Sequence, residues 1–303
     1  MSVTTNIHPR RYPAPATVLE LLKPVTWFPP MWAYMCGVVS SGVPIRDHWG
    51  LALLGVVLAG PIVCAMSQAA NDWCDRHVDA INEPERPIPS GRMPGRWGLY
   101  IAWIWTGISL AVGALLGPLG FAATVFGVIC AWAYSAEPVR LKRSGWVGPG
   151  VVGLCYEGLP WFTGAAVMAA ASGAGWVRWE VVIVAALYAI GAHGIMTLND
   201  FKAIEGDTQQ GVNSLPVTLG PERAARLACW VMAVPQVVVL GLLILWGQPI
   251  GAAWIIAVLA LQFMAMRKLL RDPKANAPWY NATGVALYVT GMMATAFALG
   301  GMV

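Results

Sequence analysis

Three aspartates in the stretch NDWCDRHVDAINEPERPIPSG, residues 71–91, stand at helical spacing: Asp72, Asp75 and Asp79. Counted from Asp72 they fall at i+3 and i+7, so a continuing helix carries all three on one face. Gln68 extends that row by one turn, with Asn71 beside it. The stretch closes a long apolar run, and bare carboxylates at the end of a membrane helix are costly unless they hold something cationic. A second set, NDFKAIEGD, follows at 199–207 with Asp200 and Asp207 at i, i+7. On a 3.6-residue helix these two are offset by about 20°, whereas Glu205 points about 140° away from Asp200. Two facing acidic sets predict a divalent-metal site for a polyphosphate. Mg²⁺ takes hard oxygen ligands, keeps several waters, and is held by one or two carboxylates plus substrate phosphates. The plain alternative is a solvated, charged helix end.

Basic residues stand close to both sets. Arg76 and Arg86 lie in the first loop, Lys142 and Arg143 in YSAEPVRLKRSGW, and Lys202 inside the second motif. Arg pairs bidentately with phosphate oxygens and Lys acts as a point charge. An acidic cluster alone repels a diphosphate; Mg²⁺ and these cations reverse the sign. Each of them is also what any cytoplasmic loop carries. His193 forms an i, i+7, i+14 row with Asp200 and Asp207, so it either looks into the same cavity from deeper in the membrane or bonds a backbone carbonyl in the core. Glu157, in LCYEGLPWFTG, is an intramembrane carboxylate and so a functional candidate; a protonated, hydrogen-bonded structural role is the alternative. Tyr134, Tyr156 and Tyr188 line a cavity or sit at interfaces.

The elements that position these residues are membrane helices. Of 303 residues, 57% are hydrophobic and 11% charged, against about 25% charged in a soluble domain; mean hydropathy is +0.61. Residues 1–16 form a polar, Pro-rich arm with no apolar core of their own, so no cleavable signal peptide is expected. The six cysteines are scattered singly with no CxxC, which indicates neither a zinc ribbon nor a disulfide framework.

At about 20 apolar residues per span, nine spans are predicted: 25–43, 50–72, 97–116, 119–137, 147–170, 179–199, 224–246, 250–268 and 279–301. The turns GPLG at 117–120 and GQPIG at 247–251 split the tight pairs. This partition puts seventeen of the nineteen Lys and Arg residues on one side, leaving only Arg46 and Arg178 on the other. By the positive-inside rule the N-terminus and both acidic sets are cytoplasmic and the C-terminus is on the far side. The fold expected is all-α, a single domain over 1–303. Asn71-Asp72 closes span 2 and Asn199-Asp200 closes span 6, which hints at two related halves.

NDWCDRHVDAINEPERPIPSGR and NDFKAIEGDTQQGVNSLPV resemble the two motifs of the chlorophyll and bacteriochlorophyll synthases, esterifying members of the UbiA-type intramembrane prenyltransferases. LLKPVTWFPPMWA and YSAEPVRLKRSGW are similar to the same family, and the similarity runs through essentially the whole chain. The resemblance implies nine helices around a central cavity. It also implies Mg²⁺-dependent transfer of a geranylgeranyl or phytyl group from its diphosphate to the propionate of a (bacterio)chlorophyllide, in a bacterial inner or intracytoplasmic membrane. By position Asn71, Asp72, Asp75 and Asp79 match the first metal–diphosphate motif, and Asp200 and Asp207 the second. Asn199 joins the diphosphate-binding set with Arg76, Arg86, Lys142, Arg143 and Lys202; His193, Tyr156 and Glu157 are the candidate tetrapyrrole contacts. One departure is that many superfamily members have DxxxD in the second motif, whereas Ala203 stands four before Asp207.

A propionate is already an anion at pH 7 and needs no strong general base, unlike a phenol. The rival acceptors are homogentisate, a quinone precursor or haem. From other classes, a cation-coupled transporter would place its carboxylates near the midplane, and a pigment-binding protein would use His193 as a magnesium ligand. Other pigment-biosynthesis enzymes or a membrane insertase are conceivable partners besides lipid; nucleic acid is not.

Overall fold

A computed structural model of the chain describes residues 11–302. The first ten residues of the expected N-terminal arm, with Arg10 of the basic side, lie outside this range. The helices in chain order are α1 (Pro15–Leu22), α2 (Phe28–Ser40), α3 (Trp49–Val57), α4 (Ala65–Asn82), α5 (Trp97–Ala114), α6 (Gly117–Ser135), α7 (Val147–Gly153), α8 (Leu159–Ala171), α9 (Trp179–Asn199), α10 (Ile204–Gln210), α11 (Leu215–Leu219), α12 (Pro221–Leu245), α13 (Pro249–Leu269) and α14 (Pro273–Gly300). Among the described residues the only strand-like pairing is an isolated bridge between Ser144 and Asn213.

Among the described residues eight helices are long and apolar enough to cross a bilayer, α3 and α4 counting as one, α7 and α8 as another, and α9 running on into α10. The first expected span, 25–43, differs: it is a 3₁₀ turn, Pro24–Thr26, followed by the 13-residue α2. Thirteen residues reach about 20 Å, short of a hydrocarbon layer about 30 Å thick. The 3₁₀ turn opened by Pro24 leads into α2 through Trp27, whose backbone is right-handed helical and whose carbonyl accepts from Met31 N, with Pro29 and Pro30 in the first turn of α2.

Glycine lets α2 sit backbone-to-backbone on α8. A Cβ on Gly37 would stand 2.0 Å from the Trp161 carbonyl oxygen, and one on Gly164 would stand 2.2 Å from that of Tyr34. Close approach through small residues is how membrane helices gain packing contact. Around this pair the buried core runs through Trp161, Tyr188 and Tyr288. Trp161 Nε1 donates to Ser40 Oγ at 3.0 Å, and Tyr288 Oη donates to the Tyr188 carbonyl at 2.6 Å. The outward faces are apolar too: Trp103, Ile104, Trp230, Leu245 and Ile250 are all at least half exposed. On a soluble surface that would be a liability; here it is the face a lipid tail covers.

Two spans contain π-helical turns, Leu58–Cys64 and Leu154–Gly158. Proline explains both. Pro61 lies inside the first, and Trp105 Nε1 donates to its carbonyl oxygen at 3.0 Å. Pro160, at the second position of α8, has no N–H to give the Tyr156 carbonyl four residues back. Such bulges turn side chains off the regular helical register.

Candidate active site

α4 is unbroken from Ala65 to Asn82, so Asp72, Asp75 and Asp79 do share a face. Asp72 and Asp79 are nearly eclipsed and take common partners, whereas Asp75 lies about 60° round the helix and takes different ones. Lys23 Nζ sits 2.7 Å from Asp72 Oδ1, and Arg86 Nη1 lies 3.4 Å from that same oxygen and 2.9 Å from Asp79 Oδ2. Arg140 Nη2 donates to Asp75 Oδ1 at 3.1 Å, and Lys142 Nζ contacts Asp75 Oδ2. Burial pushes the Lys142 ammonium below its ordinary range, partly offset by the Asp75 carboxylate. Four cations therefore gather on these three carboxylates, while Arg86 also pairs with Glu83 and Arg140 with Glu137.

Like Lys142, two of those cations stand far from the α4 aspartates in sequence, and these two were not among the expected site residues: Lys23 and Arg140. Both have left-handed backbones, φ 48° at Lys23 and φ 36° at Arg140, the two positive-φ non-glycine residues among those described. Strain of this kind persists where surrounding structure over-determines it, and it clusters at binding sites. LLKP in the N-terminal segment and the EPVRLK run were the available signals, but nothing in either names its aspartate.

The second set differs from the continuous helix expected. α9 ends at Asn199, a 3₁₀ turn covers Asp200–Ala203, and α10 begins at Ile204. Four residues at three per turn advance by about 80° more than they would in an α-helix, and Asp200 and Asp207 still lie within electrostatic reach of one another. Phe201 is buried at the centre of this turn and anchors it to the core. The set still lies beside the first, since a Cβ on Gly206 would stand 3.8 Å from Asn82 Nδ2 at the end of α4. The loop after α10 also pairs with the loop after α6, through Gly145 N donating to the Asn213 carbonyl at 3.0 Å.

A cavity of about 580 Å³ opens next to these aspartates, inside the range of small-molecule sites. Its polar end is formed by Gln68, Asn71, Tyr134, Asn199 and Lys202. Its walls are mostly apolar, from Phe28 and Pro30 through Val151 and Leu159 to Ile195 and Val289. The two Asn residues of the repeated ND pairs both line it and both are held: Asn71 Nδ2 donates to Ser135 Oγ at 3.1 Å, and Asn199 Oδ1 accepts from Asn281 Nδ2 at 2.8 Å. Tyr156 Oη accepts from Gln68 Nε2 at 2.9 Å and from Cys64 Sγ at 3.3 Å, which ties one π-helical turn to the other.

Not every expected residue converges here. Arg143 is exposed and pairs with Glu137 at 2.6 Å, and Arg76 lies 4.3 Å over the Trp73 ring. His193 does not line the cavity; its Nε2 lies 3.1 Å from the Trp146 carbonyl oxygen, the backbone-bonded arrangement that was its other reading. Glu157 and Tyr156 do line it. Among the described residues no three acidic, His or Cys side chains meet at one point to hold a metal. The donor chemistry nonetheless suits a hard cation, because Asp72 is 2% exposed and its Oδ2 is buried with no hydrogen-bond partner.

Comparison with known proteins places the chain among relatives that match it along most of its length. The chain is 66% identical over 302 residues, 100% of its length and 99% of the relative's, to the bacteriochlorophyll synthase 33 kDa chain of Cereibacter sphaeroides. It is 35% identical to the chloroplastic chlorophyll synthase of Oryza sativa subsp. japonica, covering 92% of this chain and 76% of that one. Its fold matches a UbiA homolog from Archaeoglobus fulgidus bound to GPP and Mg²⁺, with TM-score 0.73 and 22% identity over 94% of this chain and 99% of the other. The UbiA prenyltransferase family model matches residues 26–297, and the chain belongs to that family.

Proposed function

We propose that this chain transfers a geranylgeranyl or phytyl group from its diphosphate to the propionate carboxylate of a (bacterio)chlorophyllide, releasing diphosphate. The observation that carries the reading is the cation-loaded Asp72–Asp75–Asp79 face standing beside an apolar cavity. Such a cavity takes a prenyl chain, and such a face takes the diphosphate. The acceptor class is carried over from the relatives named above.

In this reading the allylic C–O bond breaks, its electron pair leaves with the diphosphate, and a propionate oxygen attacks the resulting cation to form the ester. Lys23, Arg86, Arg140 and Lys142 are positioned to take over phosphate oxygens as charge develops on the leaving group. Asn71 and Gln68 add amide dipoles at the same end of the cavity. Tyr156 receives both of its hydrogen bonds, so its own O–H is free to donate to an oxyanion. The apolar walls keep water from capturing the cation. Asp72, Asp75 and Asp79, with Asp200 and Asp207, are the residues that would hold Mg²⁺, which when bound neutralises the departing diphosphate.

The positive-inside bias supports a cytoplasmic site and N-terminus. The position of the aspartates at helix ends, not mid-membrane, speaks against a coupled transporter. Membranes holding the chain, given geranylgeranyl diphosphate and either chlorophyllide or bacteriochlorophyllide with and without Mg²⁺, test all of this. Esterified pigment and released diphosphate are expected only with Mg²⁺. Failure to esterify either pigment, with transfer to homogentisate instead, would overturn the acceptor.

A further inference from the structure

Glu157 occupies the π-helical turn Leu154–Gly158, inside the α7–α8 span, and is 4% exposed. It lines the cavity. Its Oε2 is buried and has no hydrogen-bond partner among the described residues, and no cation pairs with it there. Titratable groups close to it include Cys36 on α2 and Tyr288 on α14, side chains that are ordinarily neutral at pH 7.

A carboxyl so placed is far more stable as the neutral acid than as an unpaired anion. A neutral acid carries one strong O–H donor, and a buried donor left without an acceptor is itself unfavourable. The structural alternative, an acid bonded to a backbone carbonyl, is not what the geometry shows. The pairing this group lacks is therefore with something that enters the cavity. A prenyl chain has no acceptor atom, and its diphosphate belongs with the cations around Asp72 and Asp75. What remains is the other substrate. On the proposed function, that is a macrocycle with carbonyl groups on its rim.

We infer that Glu157 donates a hydrogen bond from its neutral carboxyl to a conjugated carbonyl oxygen on the rim of the acceptor pigment, and so orients the ring in the cavity. This rests on the pigment being the acceptor. Two carbonyls have the required chemistry. Bacteriochlorophyllide a carries an acetyl group on ring A where chlorophyllide a carries a vinyl, and both carry a ketone on the fifth ring. Glu157 is thus a positioning residue that sets pigment affinity, and with an acetyl partner it also sets pigment choice.

The test uses the full chain in membranes or detergent with bacteriochlorophyllide a, chlorophyllide a and 3-acetyl-chlorophyllide a. Glu157→Leu removes the donor and Glu157→Gln restores one as an amide. The pigment KM is expected to rise about tenfold in Glu157→Leu, the loss of one hydrogen bond, and to return to within about threefold of wild type in Glu157→Gln, with the KM for prenyl diphosphate unchanged. A rise confined to the two acetyl pigments assigns the contact to the acetyl group; an equal rise for all three assigns it to the ring ketone. If Glu157→Leu does not fold, resonance Raman of bound pigment supplies the readout, since the carbonyl stretch is downshifted in wild type and moves in Glu157→Gln. Unchanged KM values and an unshifted carbonyl, in a wild type that esterifies pigment, would overturn the assignment alone. A wild type that esterifies none of the three overturns the proposed function and the assignment with it.

Discussion

Lys23 Nζ lies 2.7 Å from Asp72 Oδ1, across 49 residues of sequence. The residue that supplies this cation ends α1 in a left-handed backbone, and Arg140, which reaches Asp75, does the same ahead of the 3₁₀ turn Leu141–Arg143. For a residue with a Cβ that conformation costs about 1–2 kcal/mol. In both places it directs a long basic side chain at an aspartate of α4. The first motif is therefore a composite of three segments of chain and not α4 alone.

Lys23→Gly and Lys23→Ala separate the backbone from the charge. Both lose the cation, so both should lower kcat/KM by about tenfold or more. Glycine accepts φ 48° without strain, so Lys23→Gly should be the more stable of the two by about 1 kcal/mol. Thermal unfolding followed by fluorescence of the many tryptophans checks the order. Equal stability would show that the turn relaxes once Lys23 is gone.

Asp72→Asn and Asp75→Asn keep the side-chain shape and remove the negative charge. Turnover should fall about 100-fold or more in each, read as diphosphate released per unit time. The partners should behave differently. Asp75→Asn frees Lys142 and leaves Arg140 paired with Glu137 alone, so its KM for prenyl diphosphate should fall while kcat collapses.

Chelation of divalent cations should abolish turnover and leave thermal stability in the absence of substrate unchanged. The reason is that side-chain cations already pair with Asp72, Asp75 and Asp79. Prenyl diphosphate together with Mg²⁺ should then raise Tm, by mass action on the folded state. A large drop in Tm on chelation alone would mean that the metal holds the fold.

Gly37→Val and Gly164→Val should destabilise by about 1–3 kcal/mol or more, because the added carbons meet backbone atoms that cannot yield. Gly107→Ala on α5 is the control, since a Cβ there meets nothing within 4 Å. It should be neutral or slightly stabilising. Detergent-solubilised melting curves give both.

Hydropathy carried most of the architecture, because lipid demands helices of a fixed minimum length. At residues 25–43 it does not reveal that a proline-bounded 3₁₀ turn precedes a 13-residue α2, an arrangement compatible with the first expected span. The aspartate face of α4 was legible because the helix continues unbroken through it. The second motif was less so: spacing alone does not reveal that Asp200–Ala203 tightens to 3₁₀ around a buried Phe201. Arg86 was found by proximity in sequence to the first motif, and Lys142 from the basic run that follows the fourth expected span. Lys23 and Arg140 were not, since tertiary packing decides their partners. Glu157 was visible as soon as an acid appeared inside a span, and its missing hydrogen-bond partner only in three dimensions.

The gathering of four side-chain cations on the α4 aspartates has a kinetic consequence. Groups that pull a leaving group out of an ester do not let go of it once the bond is broken. Lys23, Arg86, Arg140 and Lys142 will grip inorganic diphosphate as firmly as they gripped it on the substrate. Expulsion of that product, not formation of the new ester, is then the slow event of each cycle. A rapid first turnover followed by a slower steady rate is its signature, and added diphosphate should deepen the slowdown.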